Sequence, residues 1–222
     1  MKQCNLSPPK DSERPLPVIG QIACVKSAPF RGLIFTTKEL LRKNGKLIAG
    51  CFVILLLGVS LGFFLFPKFE DRIESIVEQM FAGIIVKENR FQTAINIMVR
   101  NITVSAIVIL TGIVFFIPPT IVFINGFVAG LVVKFSMSRG IALSTVICGV
   151  LPHSILEIPA FMIAAAFGAK IGFSMLFPKQ KSRKKAFTES LKEAAYVYFL
   201  IVLPLMILAA FVESYVSTSM VL

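Results

Sequence analysis

Apolar residues run along this chain in long uncharged stretches separated by short charged ones, without the strict alternation of a half-buried strand. Leu47 to Phe66 is a run of 20 residues with no charge. At about 1.5 Å per helical residue it matches a hydrocarbon layer of about 30 Å, and Pro67 ends it. Ile102 to Ile117 and Ile121 to Phe135 are two further runs joined across Pro118-Pro119. Adjacent prolines remove two backbone donors that a continuous helix would use, so the pattern predicts a tight hairpin of two spans; one long, sharply broken helix is the alternative. Ile141 to Phe177 is 37 mostly apolar residues interrupted at Pro152 and Pro159. Unbroken, it would measure about 55 Å as a helix. The expectation is a re-entrant or half helix at 141–151, a turn at 152–154 and a spanning helix near 156–176. A helix from about Ala186 leads into a last span at Tyr196 to Val212.

The pattern therefore predicts an all-α, polytopic helical membrane protein with about five spans, at 47–66, 102–117, 120–136, 156–177 and 195–213. Residues 1–29 carry Pro8, Pro9, Pro15, Pro17 and Pro29 among Lys, Ser and Gln, and read as a flexible basic tail. Residues 30–46 interleave Leu33, Ile34, Leu40 and Leu41 with Lys38, Arg42, Lys43 and Lys46, as in an amphipathic segment lying on the membrane surface. The transmembrane domain is then 47–217, with 218–222 as a C-terminal tail. Lys68 to Glu88 places Ile73, Ile76, Val77, Met80, Phe81, Ile84 and Ile85 at helical spacing, opposite Glu70, Asp71, Glu74 and Glu78. This predicts an acidic amphipathic helix outside the cytoplasm, packed along its own bundle or docking a partner protein.

Charge fixes the orientation. A net +11 arises from 23 Lys and Arg against 12 Asp and Glu, and the excess gathers in residues 1–46 and 179–192. Beside hydrophobic spans such clusters follow the positive-inside bias and touch anionic headgroups. Nucleic acid is not an expected partner, because no recognition motif accompanies the charge. Five crossings starting in the cytoplasm put the loop PKQKSRKK, residues 178–185, inside and the C-terminus outside. A mean hydropathy of +0.82 excludes an ordinary soluble domain. Cys4, Cys24, Cys51 and Cys148 show no metal-ligand spacing. Small residues recur every four positions at Gly58 and Gly62, at Gly126 and Gly130, and at Ala164, Gly168 and Gly172. Such faces allow close helix approach, either within one subunit or in a homo-oligomer.

The chemistry concentrates in Leu151 to Ala160, LPHSILEIPA, which holds the sole histidine and a glutamate four positions later, bracketed by Pro152 and Pro159. An ionisable residue at membrane depth costs about 2.5–3.5 kcal/mol on the gentlest insertion scale, so its presence asks for a reason. His153 and Glu157 are four apart and share a face if helix continues through them. One reading is an orientation lock, with the pair satisfying backbone groups opened by Pro152. Another is a proton relay or ion site. A metal-dependent hydrolase lacks its HExxH spacing and a second histidine, and Ser154 lacks a nucleophile turn, so no catalytic residue, metal or cofactor is expected. Arg100, Asn101, Asn125, Lys170 and Glu213, with Asn96, are further polar residues in or near spans; Arg100 and Lys170 are candidate partners for Glu157 or Glu213.

Arg100-Asn101, Asn125-Gly126, LPHSILEIPA, IAAAFGAKIG at 163–172 and AAFVES at 209–214 together resemble the stage II sporulation protein M family of membrane proteins, over about residues 96–217. The family pattern has glycine where this chain has Ser154, and another near Ala165. The resemblance implies a non-enzymatic anchor or scaffold for other membrane or envelope proteins, as in the sporulation complex with two peptidoglycan-degrading enzymes. It does not imply sporulation itself. A small proton- or ion-coupled transporter or channel using His153 and Glu157 is the competing expectation.

Overall fold

The computed structural model describes residues 29–70, 72–73, 90–178 and 182–217, with side chains described within those ranges from residue 36 onward except at 149–153 and 216–217. The tail expected at 1–29 and the acidic helix expected at 68–88 therefore fall almost wholly outside the described residues, as does the tail 218–222. The described residues contain helices and turns but no strand, the all-α architecture that the apolar runs imply.

The chain divides into two units, Met1–Arg42 and Lys43–Leu222. In the first, α1 (Pro29–Lys43) covers most of the expected amphipathic segment. The second unit is the membrane domain. It begins at Asn44, whose carbonyl accepts from the Leu47 and Ile48 amides at 3.0 and 3.1 Å and so starts α2 (Gly45–Leu65). A 3-10 turn, Phe66–Lys68, holds Pro67. Next are α3 (Arg90–Leu110) with a 3-10 turn at Thr111–Ile113, and α4 (Ile117–Ser138). Then come α5 (Leu143–Leu176) and α6 (Arg183–Val197). A π turn at Tyr198–Val202, α7 (Leu203–Val212) and a second π turn at Glu213–Ser217 complete the unit. Among the described residues, five stretches are long and apolar enough to cross a membrane: Gly45–Lys68, Arg90–Ile113, Ile117–Ser138, Ser154–Leu176 and Arg183–Tyr215.

Two sequence expectations need correction. The hairpin of the second and third spans exists, but its turn lies at residues 114–116, and Pro118-Pro119 open α4 instead of forming the turn. The first turn of a helix has no intrahelical use for its N–H groups, so prolines there lose nothing and their fixed φ favours the helix. The second span also starts at Arg90, 12 residues before the expected Ile102, because Gln92, Asn96 and Arg100 interrupt the apolar run without stopping the helix. The second correction concerns residues 141–160. No turn breaks 152–154; α5 is one 34-residue helix through both prolines. Each interior proline removes one hydrogen bond and crowds a carbonyl one turn earlier, a cost of about 3 kcal/mol that neighbouring helices can offset. The portion suited to crossing, Ser154–Leu176, nevertheless coincides with the span read from the sequence. Gly140, at φ 83°, makes the sharp reversal between α4 and α5, and its amide bonds the Met137 carbonyl at 3.0 Å.

The membrane domain is held by two glycine clamps around α5. A Cβ on Gly58 or Gly62 would fall on the carbonyl oxygens of Phe123 or Phe127, and one on Gly126 or Gly130 on those of Leu55 or Val59. α2 and α4 thus run parallel with their backbones in contact, each inserting glycines into the other. The second clamp joins the end of α3 to α5: a Cβ on Gly168 would stand 2.7 Å from the Val108 carbonyl oxygen, and one on Gly172 2.6 Å from that of Gly112. α5 packs against α2, α3, α4, α6 and α7. Of its membrane window 61% is buried, against 22–33% for the other four spans, so it is the central helix. From Ala160 to Ile171 every side chain is buried except half-buried Phe161 and Lys170, and Ala164, Ala165 and Ala166 are fully enclosed.

Gly62→Val places methyl groups where the Phe127 backbone lies, and backbone cannot swing aside as a side chain can. We expect a loss of about 3 kcal/mol or more, beyond ordinary overpacking. Gly50→Val, at a position with nothing within 4 Å, should leave stability close to wild type. Thermal unfolding in detergent of the two variants side by side makes the comparison.

Candidate polar site in the membrane layer

Among the described residues, Arg100, Glu157, Lys170 and Glu213 fall into two charged groups. In the first, the Lys170 ammonium of α5 donates to the Glu193 carboxylate of α6, with side-chain exposures of 18% and 11%. The same ammonium stands 5.5 Å from the Phe167 ring centre. Lysine carries a flexible four-carbon stem, so it reaches across to α6 while its methylenes stay against apolar neighbours. The sequence offered Glu157 and Glu213 as candidate partners; the partner in the structure is Glu193. Ala186, Ser190, Ala194 and Val197 form the buried stripe of α6, and Glu193 borders it.

The second group draws on three elements. Arg100 of α3 lies within electrostatic range of Glu157 of α5 and of Glu213, the first residue of the terminal π turn, and the two carboxylates also feel each other. Both carboxylate residues are half-buried, and Arg100 is exposed. The structure therefore joins Glu157, Glu213 and Arg100, which the sequence listed separately. Two long-range hydrogen bonds fix the last span against α3 on either side of them. Tyr198 Oη donates to the Ile102 carbonyl at 3.0 Å, and Ser214 Oγ to the Arg90 carbonyl at 2.6 Å. The pairs sum to nearly the same number, so the two helices are antiparallel. Both donors lie in π turns, and the first turn immediately precedes Pro204, whose missing N–H and bulky ring an α-helix accommodates poorly. Neither Tyr198 nor Ser214 stood out in the sequence, because a hydroxyl within an apolar run gives no sign of a partner some 100 residues away.

The remaining candidates are more local. The backbone of Pro152 and His153 is helical, while their side chains lie outside the described residues. Pro159 is exposed and Asn101 half-buried. Asn125 is exposed on α4, and its Nδ2 donates to the Ile121 carbonyl one turn earlier at 2.8 Å, which satisfies an amide on a lipid-facing surface. Of the two cysteines placed in spans, Cys51 is buried in α2 and Cys148 is exposed on α5. Among the described residues, no three His, Cys, Asp or Glu side chains gather as a metal site would require. No side-chain nitrogen or oxygen buried among them lacks a hydrogen-bond partner. The arrangement can hold helices in register and hold charge in a low-dielectric layer.

The family model for stage II sporulation protein M matches residues 51–218. The chain belongs to this family. The matched range runs from within α2 to just beyond the final π turn, so both glycine clamps, both charged groups and LPHSILEIPA belong to the family segment. The tail and α1 precede it. Comparison with curated proteins and with solved structures finds no match.

Removing one member of the Lys170–Glu193 pair leaves the other charge poorly solvated, so Lys170→Met and Glu193→Leu should each destabilise the protein by about 2 kcal/mol or more. The double variant Lys170→Met, Glu193→Leu should recover much of that loss. A double-mutant cycle on thermal unfolding midpoints measures the coupling.

Proposed function

We propose that this chain is a non-enzymatic scaffold of the cell membrane, a rigid multi-pass bundle that anchors other membrane or envelope proteins. Its main support is the way the bundle closes. Two glycine clamps bring backbones into contact, and the central segment of α5 from Ala160 to Ile171 is packed on nearly all sides. Close-packed interiors resist the rearrangement that alternating access demands. Family membership agrees with an anchoring role, and an anchor needs no catalytic constellation.

The orientation follows from helix direction and charge taken together. Because successive spans alternate, the start of α2 with Lys43 and Lys46 lies at the same end of the membrane domain as the start of α6 with Arg183, Lys184 and Lys185. The positive-inside bias makes that end cytoplasmic. The C-terminus is then extracytoplasmic, and so is the acidic segment between α2 and α3, which becomes the surface offered to envelope proteins.

One observation favours a second reading. Arg100, Glu157 and Glu213 from three elements share one neighbourhood in the membrane layer, the kind of grouping found where protons or ions pass. Reconstitution separates the two. Under the scaffold reading, liposomes containing the pure protein show no proton or cation flux above protein-free controls, while cross-linking in native membranes recovers a defined partner that Gly62→Val loses. Flux abolished by His153→Ala or Glu157→Gln would establish the transporter instead.

A further inference from the structure

The outward face of α3 carries a feature that neither glycine clamp nor either charged group uses. Gln92, Asn96 and Thr103 fall on one side of the helix at spacings of four and seven, and all three are exposed. Arg100 stands at the flank of this stripe. Gln92 Nε2 donates to Asn96 Oδ1 at 3.4 Å, a long bond that leaves most donors and acceptors of the two amides open. On the same face Val99 lies between Asn96 and Thr103, and Ile107 and Leu110 lie beyond, all three exposed and apolar as lipid contact requires. From Gln92 to Thr103 the stripe extends about 17 Å along the axis, within the stretch Arg90–Ile113 suited to cross the membrane. Asn125 shows how this protein settles a lone lipid-facing amide, by bonding it back to its own helix. The α3 stripe instead carries two amides one turn apart and a hydroxyl two turns beyond, on either side of Val99. Lipid chains supply no hydrogen bonds, so such a stripe calls for polar cover.

We propose that the Gln92–Asn96–Thr103 face of α3 is the surface on which two copies of this chain associate within the membrane. Three observations select a second copy as the occupant. Amides and hydroxyls each donate and accept, so the face meets its own image without mismatch across a two-fold axis along the membrane normal. Two copies share one membrane orientation, which such an axis requires. The positive charge beside the stripe has Glu157 and Glu213 of its own chain in range, so the face does not call for an acidic partner. The small-residue faces that suggested homo-association are already spent inside the subunit, Gly58 and Gly62 against α4, and Gly168 and Gly172 against the end of α3.

Light scattering of the full-length protein in detergent micelles and in lipid nanodiscs reads its copy number, and a dimer is expected in both. Replacing Gln92→Leu, Asn96→Leu and Thr103→Val together keeps the bulk of the face and removes its hydrogen bonds. The dimer dissociation constant should rise by at least about tenfold. Leu208→Ala, on the exposed face of α7, should leave it unchanged. Should the triple variant fail to fold, cross-linking supplies the answer. With the four native cysteines changed to serine, Asn96→Cys should give an adduct of twice the chain mass in native membranes with a short bifunctional thiol reagent, and Leu208→Cys should not. A monomeric wild type in both media overturns the proposal. So does an Asn96→Cys adduct to a different protein, which would make the face a hetero-contact.

Discussion

Everything in this protein depends on the absence of a hydrophobic drive between helices in lipid. Lipid tails are as apolar as leucine, so association must come from close van der Waals approach and from hydrogen bonds. The chain meets the first requirement with glycine. Where α2 crosses α4, four glycines put backbone against backbone on both sides, and where α3 ends, Gly112, Gly168 and Gly172 do the same against α5. A single Cβ at these places would occupy the position of a carbonyl. The Phe-rich surfaces beside the clamps, with Phe66 near Phe135 and Phe115 near Phe173, fill the space that glycine leaves open at the rim.

The second requirement is met by polar contacts at chosen depths. Lys170 with Glu193 ties α5 to α6, Tyr198 and Ser214 tie the last span to α3, and Arg100 stands with Glu157 and Glu213 where three elements converge. Each would be expensive if its partner were absent. The two π turns fit this pattern: each lies where a donor must reach a carbonyl on another helix, and the first also admits Pro204. Prolines elsewhere are absorbed in two ways, at a helix start in α4 and within a packed long helix in α5.

The architecture was legible in the sequence because apolar run length reports bilayer thickness directly. The run 47–66 and the span Gly45–Lys68 nearly coincide, and the four-residue glycine spacing marked the faces that pack. Helix limits were less legible where polar residues lie inside a span. Gln92, Asn96 and Arg100 read as the edge of the lipid and turn out to be part of α3. Proline misled at 152–154 because its local penalty is visible in sequence while the compensating contacts of α5 are not. For the same reason the sequence offered only candidate partners for Lys170: pairing between helices depends on their mutual rotation, which no single run records. LPHSILEIPA is placed in continuous helix, with Glu157 in a charged group that also draws on Arg100 and Glu213.

The account rests on α5 as a dry central helix whose first turns lie outside that packing, since residues 141–148 are exposed apart from half-buried Val146. Hydrogen–deuterium exchange of the protein in lipid nanodiscs, resolved by peptide along α5, tests this most directly. Amides of 160–171 should stay protected over hours, while those of 144–150 exchange first. Equal exchange in the two halves, or early exchange spreading from Glu157 into 160–171, would contradict a closed bundle and place water along its axis.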